Sequence, residues 1–83
     1  MNIEDTLKRE LIDHGLWEKE ADAILEEAKA DPANELMKDR WTDDAEGYPR
    51  PLLGILWIGI KSKAVDWLKA NKPDHWALSM LGG

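Results

Sequence analysis

The chain contains no cysteine, which excludes disulfides and thiolate zinc sites. Its two histidines, His14 and His75, lie far apart in sequence, and neither belongs to a metal-ligand spacing such as H-E-x-x-H. Long apolar runs are missing too: Leu52 to Ile60 is the longest, and its nine residues are about half of the roughly 20 that a membrane span needs. That run reads as a segment of buried helix, and no membrane role is expected. The opening MNIEDTLKRE carries acids where a secretory signal would carry bases and an apolar stretch, so a cytoplasmic location is expected. Nor does any segment alternate with period two for long enough to form a strand.

These absences leave few ways to stabilise 83 residues. A chain this short buries a modest core and often leans on disulfides, metals or association. With no disulfide possible and no metal motif, association is the expected supplement.

What is present is acid, unevenly spread. Residues 1 to 47 hold 15 acids against 6 bases, a net of −9, whereas residues 48 to 83 hold 2 acids against 5 bases, a net of +3. The first half therefore presents an acidic surface that repels phosphates, and direct binding of DNA or RNA is not expected.

The periodicity predicts an all-α domain spanning 1–83, a small bundle of four to five helices. Asn2 can cap a first helix over about 3–13, whose Ile3, Leu7 and Leu11 recur every four residues. Gly15 stops it in a left-handed turn. A second helix over about 18–30 places Trp17, Ala21, Ile24, Leu25 and Ala28 on one side and Glu18, Glu20, Asp22, Glu26 and Glu27 elsewhere. Asp31-Pro32 opens a short helix to about Arg40, with Leu36 and Met37 inward. Trp41 to Arg50 is a loop, and Pro51 starts the longest helix, about 51–70. On it Leu53, Leu56, Trp57, Ile60, Ala64, Trp67 and Leu68 share one arc, while Ser62, Lys63, Asp66 and Lys69 share the opposite one. Ile55 and Ile58 project from the side that turns polar further along, so this helix is predicted to be largely buried, its first half nearly all round. Asp74 can cap a last short helix through Leu81, with Trp76, Ala77, Met80 and Leu81 apolar.

No constellation carries catalysis. The acidic D-D-A-E-G loop fails as a calcium loop, because counting from Asp43 the third position is Ala45 and the fifth Gly47, where oxygen ligands are required. It reads as a solvated loop with a capping role. Seventeen acids offer many carboxylate pairs, yet no His, Ser or Cys sits in a supporting motif. Catalytic residues, cofactor and metal ligands are accordingly expected to be none.

The five tryptophans are the unusual feature. Trp57 and Trp67 lie on the apolar arc and read as core. Trp41 and Trp76 flank breaks in helix and are candidate anchors for a partner. Tyr48-Pro49-Arg50-Pro51 resembles the extended proline-containing ligands of aromatic grooves, which adds Tyr48 and Arg50 as candidates, although two prolines also fix the angle at which the loop delivers the long helix. Ile55 and Ile58, flanked by Gly54 and Gly59, complete the candidate interaction residues. They predict a homodimer whose long helices pack around a twofold axis. The rival is a monomer in which the last helix, with Trp76, Met80 and Leu81, folds back over them.

The spacing of L-I-D-H-G-L-W, A-D-A-I-L, R-W-T-D-D-A-E-G-Y-P, I-L-W and W-L-K-A-N-K-P-D-H-W resembles small uncharacterised accessory proteins of tailed bacteriophages and prophages. The resemblance covers most of the chain, and R-W-x-D-x-x-x-x-Y-P is its most specific piece. It implies a phage-borne protein in the cytoplasm of an infected bacterium, and it carries over neither an activity nor functional residues.

Three functions are compatible with these features. The first is a non-enzymatic protein that binds a bacterial or phage protein. The second is an acidic mimic of the DNA phosphate track that inhibits a host defence or DNA-binding protein, although Lys8, Arg9, Lys19 and Lys29 interrupt the track. The third is an enzyme or a helix–turn–helix regulator over Leu11 to Ala28. Its would-be recognition helix has five acids against Lys19 and Lys29, the wrong sign for a groove.

Overall fold

The computed structural model describes residues 1–31 and 40–81 of the chain. Among them are four α-helices, α1 (Ile3–Asp13), α2 (Glu18–Ala30), α3 (Arg50–Asn71) and α4 (Ala77–Leu81), a single 3-10 turn at Ala45–Gly47, and no strand. The domain is a small all-α bundle. No described helix is long and apolar enough to cross a membrane. The body of the short helix expected between Asp31 and about Arg40, with Leu36 and Met37, falls on residues 32–39, outside those described.

Helix α1 starts where a side chain can replace a missing backbone partner. Asn2 is extended (φ −80°, ψ 171°) and its Oδ1 accepts from the Asp5 N–H at 2.7 Å. The two preceding amides are satisfied by the acidic loop: Ile3 N–H donates to the Asp43 carbonyl and Glu4 N–H to the Trp41 carbonyl, both at 2.9 Å. The capping role expected of that loop is therefore real, and it is exercised by backbone carbonyls on the start of α1. Ala45 N–H completes the attachment by donating to the Met1 carbonyl at 3.0 Å.

The helix ends on Gly15, whose φ of +101° costs glycine little and an L side chain much. Gly15 N–H returns to Ile12 and Leu16 N–H to Leu11, which satisfies two otherwise orphaned carbonyls. The turn sends α2 back along α1. Their seam is apolar, with Ile3, Leu7 and Leu11 against Ala21, Ile24, Leu25 and Ala28. Its edges are ionic: Lys8 meets Glu18 and Asp22 at 3.0 and 2.9 Å, and Lys29 meets Glu4 and Glu26.

Pro51 sits in the first turn of α3, where its missing N–H is not needed. Helix α3 packs on both α1 and α2, and α4 packs on α3. Ile60, Ala64 and Leu68 supply the fully buried contacts, while Leu53, Leu56, Trp57 and Trp67 pack half-buried around them. The His14 ring lies 5.0 Å from that of Trp57 and ties the end of α1 to the middle of α3.

The last helix begins later than its sequence suggests. Ala77 N–H donates to His75 Nδ1 at 3.0 Å, so His75 rather than Asp74 accepts from the start of α4.

Candidate functional site

Two surfaces combine exposed apolar side chains with a defined frame. The first is the outer face of α3. Ile55 and Ile58 are 63% and 64% exposed and Leu52 is 44% exposed, which corrects the expectation that the first half of this helix is buried nearly all round. The physical reason is the side of the helix: Leu53, Leu56 and Trp57 of the same turns pack on the core, and Ile55 and Ile58 project away from it.

This face has relief. A Cβ placed on Gly54 or Gly59 would meet nothing within 4 Å, so the surface dips at both positions. The isoleucine ridge is flanked by a groove of about 360 Å3, lined in part by Trp41, Ile55 and Gly59. On the other side Ile58, Val65 and Leu81 line one of about 300 Å3. Leu81 is buried, but Trp76 and Met80 remain exposed, so α4 does not fold over Ile55 and Ile58 as the monomeric alternative required.

The remaining candidates separate. Arg50 is exposed at the first turn of α3, and Tyr48 is half-buried against the core beside it. Trp41 is only 4% exposed and belongs to the core. As a partner's anchor it is corrected: the loop folds back onto the start of α1 and takes the indole inside, where its N–H meets no acceptor among the described residues. Trp76 is exposed, but it lines the cleft around Glu20 and neither of the two grooves beside Ile55 and Ile58.

The second surface surrounds Trp76 and was not foreseen. Glu20, grouped with the polar residues of α2, is 5% exposed. Its Oε1 accepts from the Trp17 N–H at 2.9 Å and from His75 Nε2 at 3.1 Å, and its Oε2 accepts from Lys72 Nζ at 2.7 Å. Because His75 Nδ1 already accepts from Ala77, the ring proton belongs on Nε2, facing Glu20. Burial pushes the Glu20 carboxyl up, but Lys72, the Trp17 amide and His75 together outweigh it and hold the group below the ordinary carboxylate value. Trp17, assigned from sequence to the buried side of α2, is instead 68% exposed. It precedes the helix in an extended conformation (ψ 157°), so helical periodicity does not govern where its ring points. The signal for Glu20 was present in its spacing of four from Ile24 and eight from Ala28, both buried.

The α1–α2 face is the third notable surface. Asp22 and Glu18 hold the Lys8 ammonium above its usual range, and Glu4 does the same for Lys29 with help from Glu26. Each base thus sits among two acids. Among the described residues no group of three or more His, Cys, Asp or Glu is arranged to hold a metal ion. No family model, curated protein or solved structure matches this chain.

Proposed function

We propose that this chain is a non-enzymatic accessory protein of the bacteriophage type that acts by protein–protein contact, and that it pairs with a second copy through the outer face of α3. One observation carries the reading: Leu52, Ile55 and Ile58 are exposed on one side of a helix whose opposite side is core. Each exposed isoleucine forgoes roughly 1.5–3 kcal/mol of burial, and an apolar patch of this kind marks an interaction surface. The face is suited to its own copy. With two α3 helices antiparallel about Trp57, Ile55 of one lies opposite Gly59 of the other, twice over, so each ridge meets a dip.

Sedimentation at high micromolar concentration tests the pairing. The wild type should run as a dimer and Ile58→Glu as a monomer with an unchanged helical spectrum. A monomeric wild type overturns it. The wider reading, a bacterial or phage protein as partner, is tested by affinity purification from bacterial lysate, and repeated recovery of background alone counts against it.

A second reading keeps one supporting observation. Lys8 and Lys29, two of the bases that interrupt the acidic track, are neutralised in place, each between two carboxylates. Each triad retains a net charge of −1, so the track on α1 and α2 stays negative where its bases sit. A mimic of DNA built on this face should lose its partner steeply between low and moderate salt. Salt-insensitive binding removes the electrostatic basis.

A further inference from the structure

The cleft beside Trp17 and Trp76 has a one-sided polar inventory. It measures about 160 Å3 and is lined by Trp17, Glu20, Lys72, His75 and Trp76. The two oxygens of Glu20 already accept three bonds, from the Trp17 amide, His75 and Lys72. His75 has no nitrogen to spare, since Nδ1 serves Ala77 and Nε2 serves Glu20. What remains is donor in character. An ammonium carries three N–H groups; Lys72 gives one to Glu20, and its side chain is 54% exposed. An indole nitrogen can only donate.

The walls are aromatic and held in place. Trp76 stacks on His75 with ring centroids 4.4 Å apart, and its Nε1 lies where a side chain at Gly15 would come within 2.6 Å. Trp17 is fixed at its backbone by the Glu20 carboxylate. Neither indole fills the core: they are 57% and 68% exposed.

We infer that this cleft binds a carboxylate carried on a flat apolar body, presented either as a free aromatic acid or as the chain terminus of a peptide ending in an aromatic residue. A cavity of about 150 Å3 accommodates a benzene ring, so the ring lies against the indoles while the carboxylate meets Lys72 Nζ in a charge-assisted bond. A cationic ligand is the obvious competitor, because indole faces attract cations. It is disfavoured by the Lys72 ammonium and by the burial of Glu20, the only carboxylate among the described lining residues, which is 5% exposed and already accepts three bonds. This site is separate from the α3 face and stands or falls independently of the pairing proposed there.

The test is a titration of the full chain followed through its indole N–H resonances, assigned with Trp17→Phe and Trp76→Phe. The probes are benzoate and, separately, a short peptide ending in phenylalanine with a free carboxylate. Saturable shifts of the Trp17 and Trp76 signals are expected with at least one probe, and which of the two binds identifies the source of the acid. Benzamide and the C-terminally amidated peptide should bind roughly tenfold more weakly or worse, as should the acid to Lys72→Gln, since a charged hydrogen bond is lost. Lys72→Gln also removes a partner of Glu20, so Trp17→Ala, at an exposed wall, provides a second variant that should keep the helical spectrum and lose affinity about as much. Absence of saturable shifts with both acids, equal binding of the amides, or tighter binding of benzylammonium overturns the inference.

Discussion

The two halves of α3 are one continuous helix in two environments. From Ile60 to Leu68 its inner residues are fully buried against α1 and α2, while Leu52, Ile55 and Ile58 in the preceding turns face water although they are no less apolar. Hydropathy determines which residues gain from cover. The side of the helix from which each projects determines which of them receive it: Leu53, Leu56 and Trp57 pack on the core in the same turns in which Leu52, Ile55 and Ile58 stay exposed.

That contrast can be broken from either end. Leu68→Ala should have the largest effect, a loss of about 2–5 kcal/mol in denaturant unfolding, because Leu68 is fully buried and its truncation opens a cavity in the core. A loss under about 1 kcal/mol would mean the C-terminal half is not the anchor. Glu20→Gln should follow at roughly 1–3 kcal/mol, since the amide turns a donor toward Lys72 or His75. Glu20 also carries a pH signature. Its folded carboxyl is held below the ordinary value, so its contribution is fully present well above about pH 4.3, the midpoint of the unfolded carboxyl, and is lost as pH falls through the lower folded value. An acid titration of stability should therefore be steeper for the wild type than for Glu20→Gln, and parallel curves would contradict it.

Gly15→Ala should cost about 1–2 kcal/mol from the backbone alone, with an added clash against Trp76. Relaxing that clash with Trp76→Ala in the same chain should recover only the clash, leaving the backbone part. The smallest effect belongs to the exposed half. Ile58→Ser should change the stability of the monomer by less than about 0.5 kcal/mol while weakening self-association in sedimentation. A large loss in the dilute monomer would show that Ile58 is already covered within one chain.

Local signals were sufficient for the helices. The repeat of Ile3, Leu7 and Leu11, the Asn2 cap, the Gly15 stop and Pro51 at the start of α3 gave boundaries of 3–13, 18–30 and 51–70, against Ile3–Asp13, Glu18–Ala30 and Arg50–Asn71 in the structure. Less was legible where a residue's environment is assembled from distant parts. Glu20 meets Lys72 and His75 across 52 and 55 positions, and no local spacing announces that. Trp41 looked like a surface anchor because it borders a break in helix, and its burial depends on a loop that closes onto the other end of the chain. Ile55 and Ile58 were recognised as needing cover. That they stay exposed depends on which side of α3 the other described helices take up and on where α4 lands.

The attachment of the acidic loop to the start of α1 also bears on how the molecule opens. The first four amides of a helix ordinarily exchange their hydrogens with water readily, having no partner in the helix. In α1 these amides end on the Asp43 carbonyl, the Trp41 carbonyl, the Asn2 side chain and the Asn2 carbonyl. Ile3 and Glu4 can therefore exchange only when residues 41–43 lift away, and the Ala45 amide, held by Met1, must be freed in the same event. The beginning of the chain and a loop some forty positions later then share one opening rate, and the part of α1 that would ordinarily fray first instead keeps time with the loop.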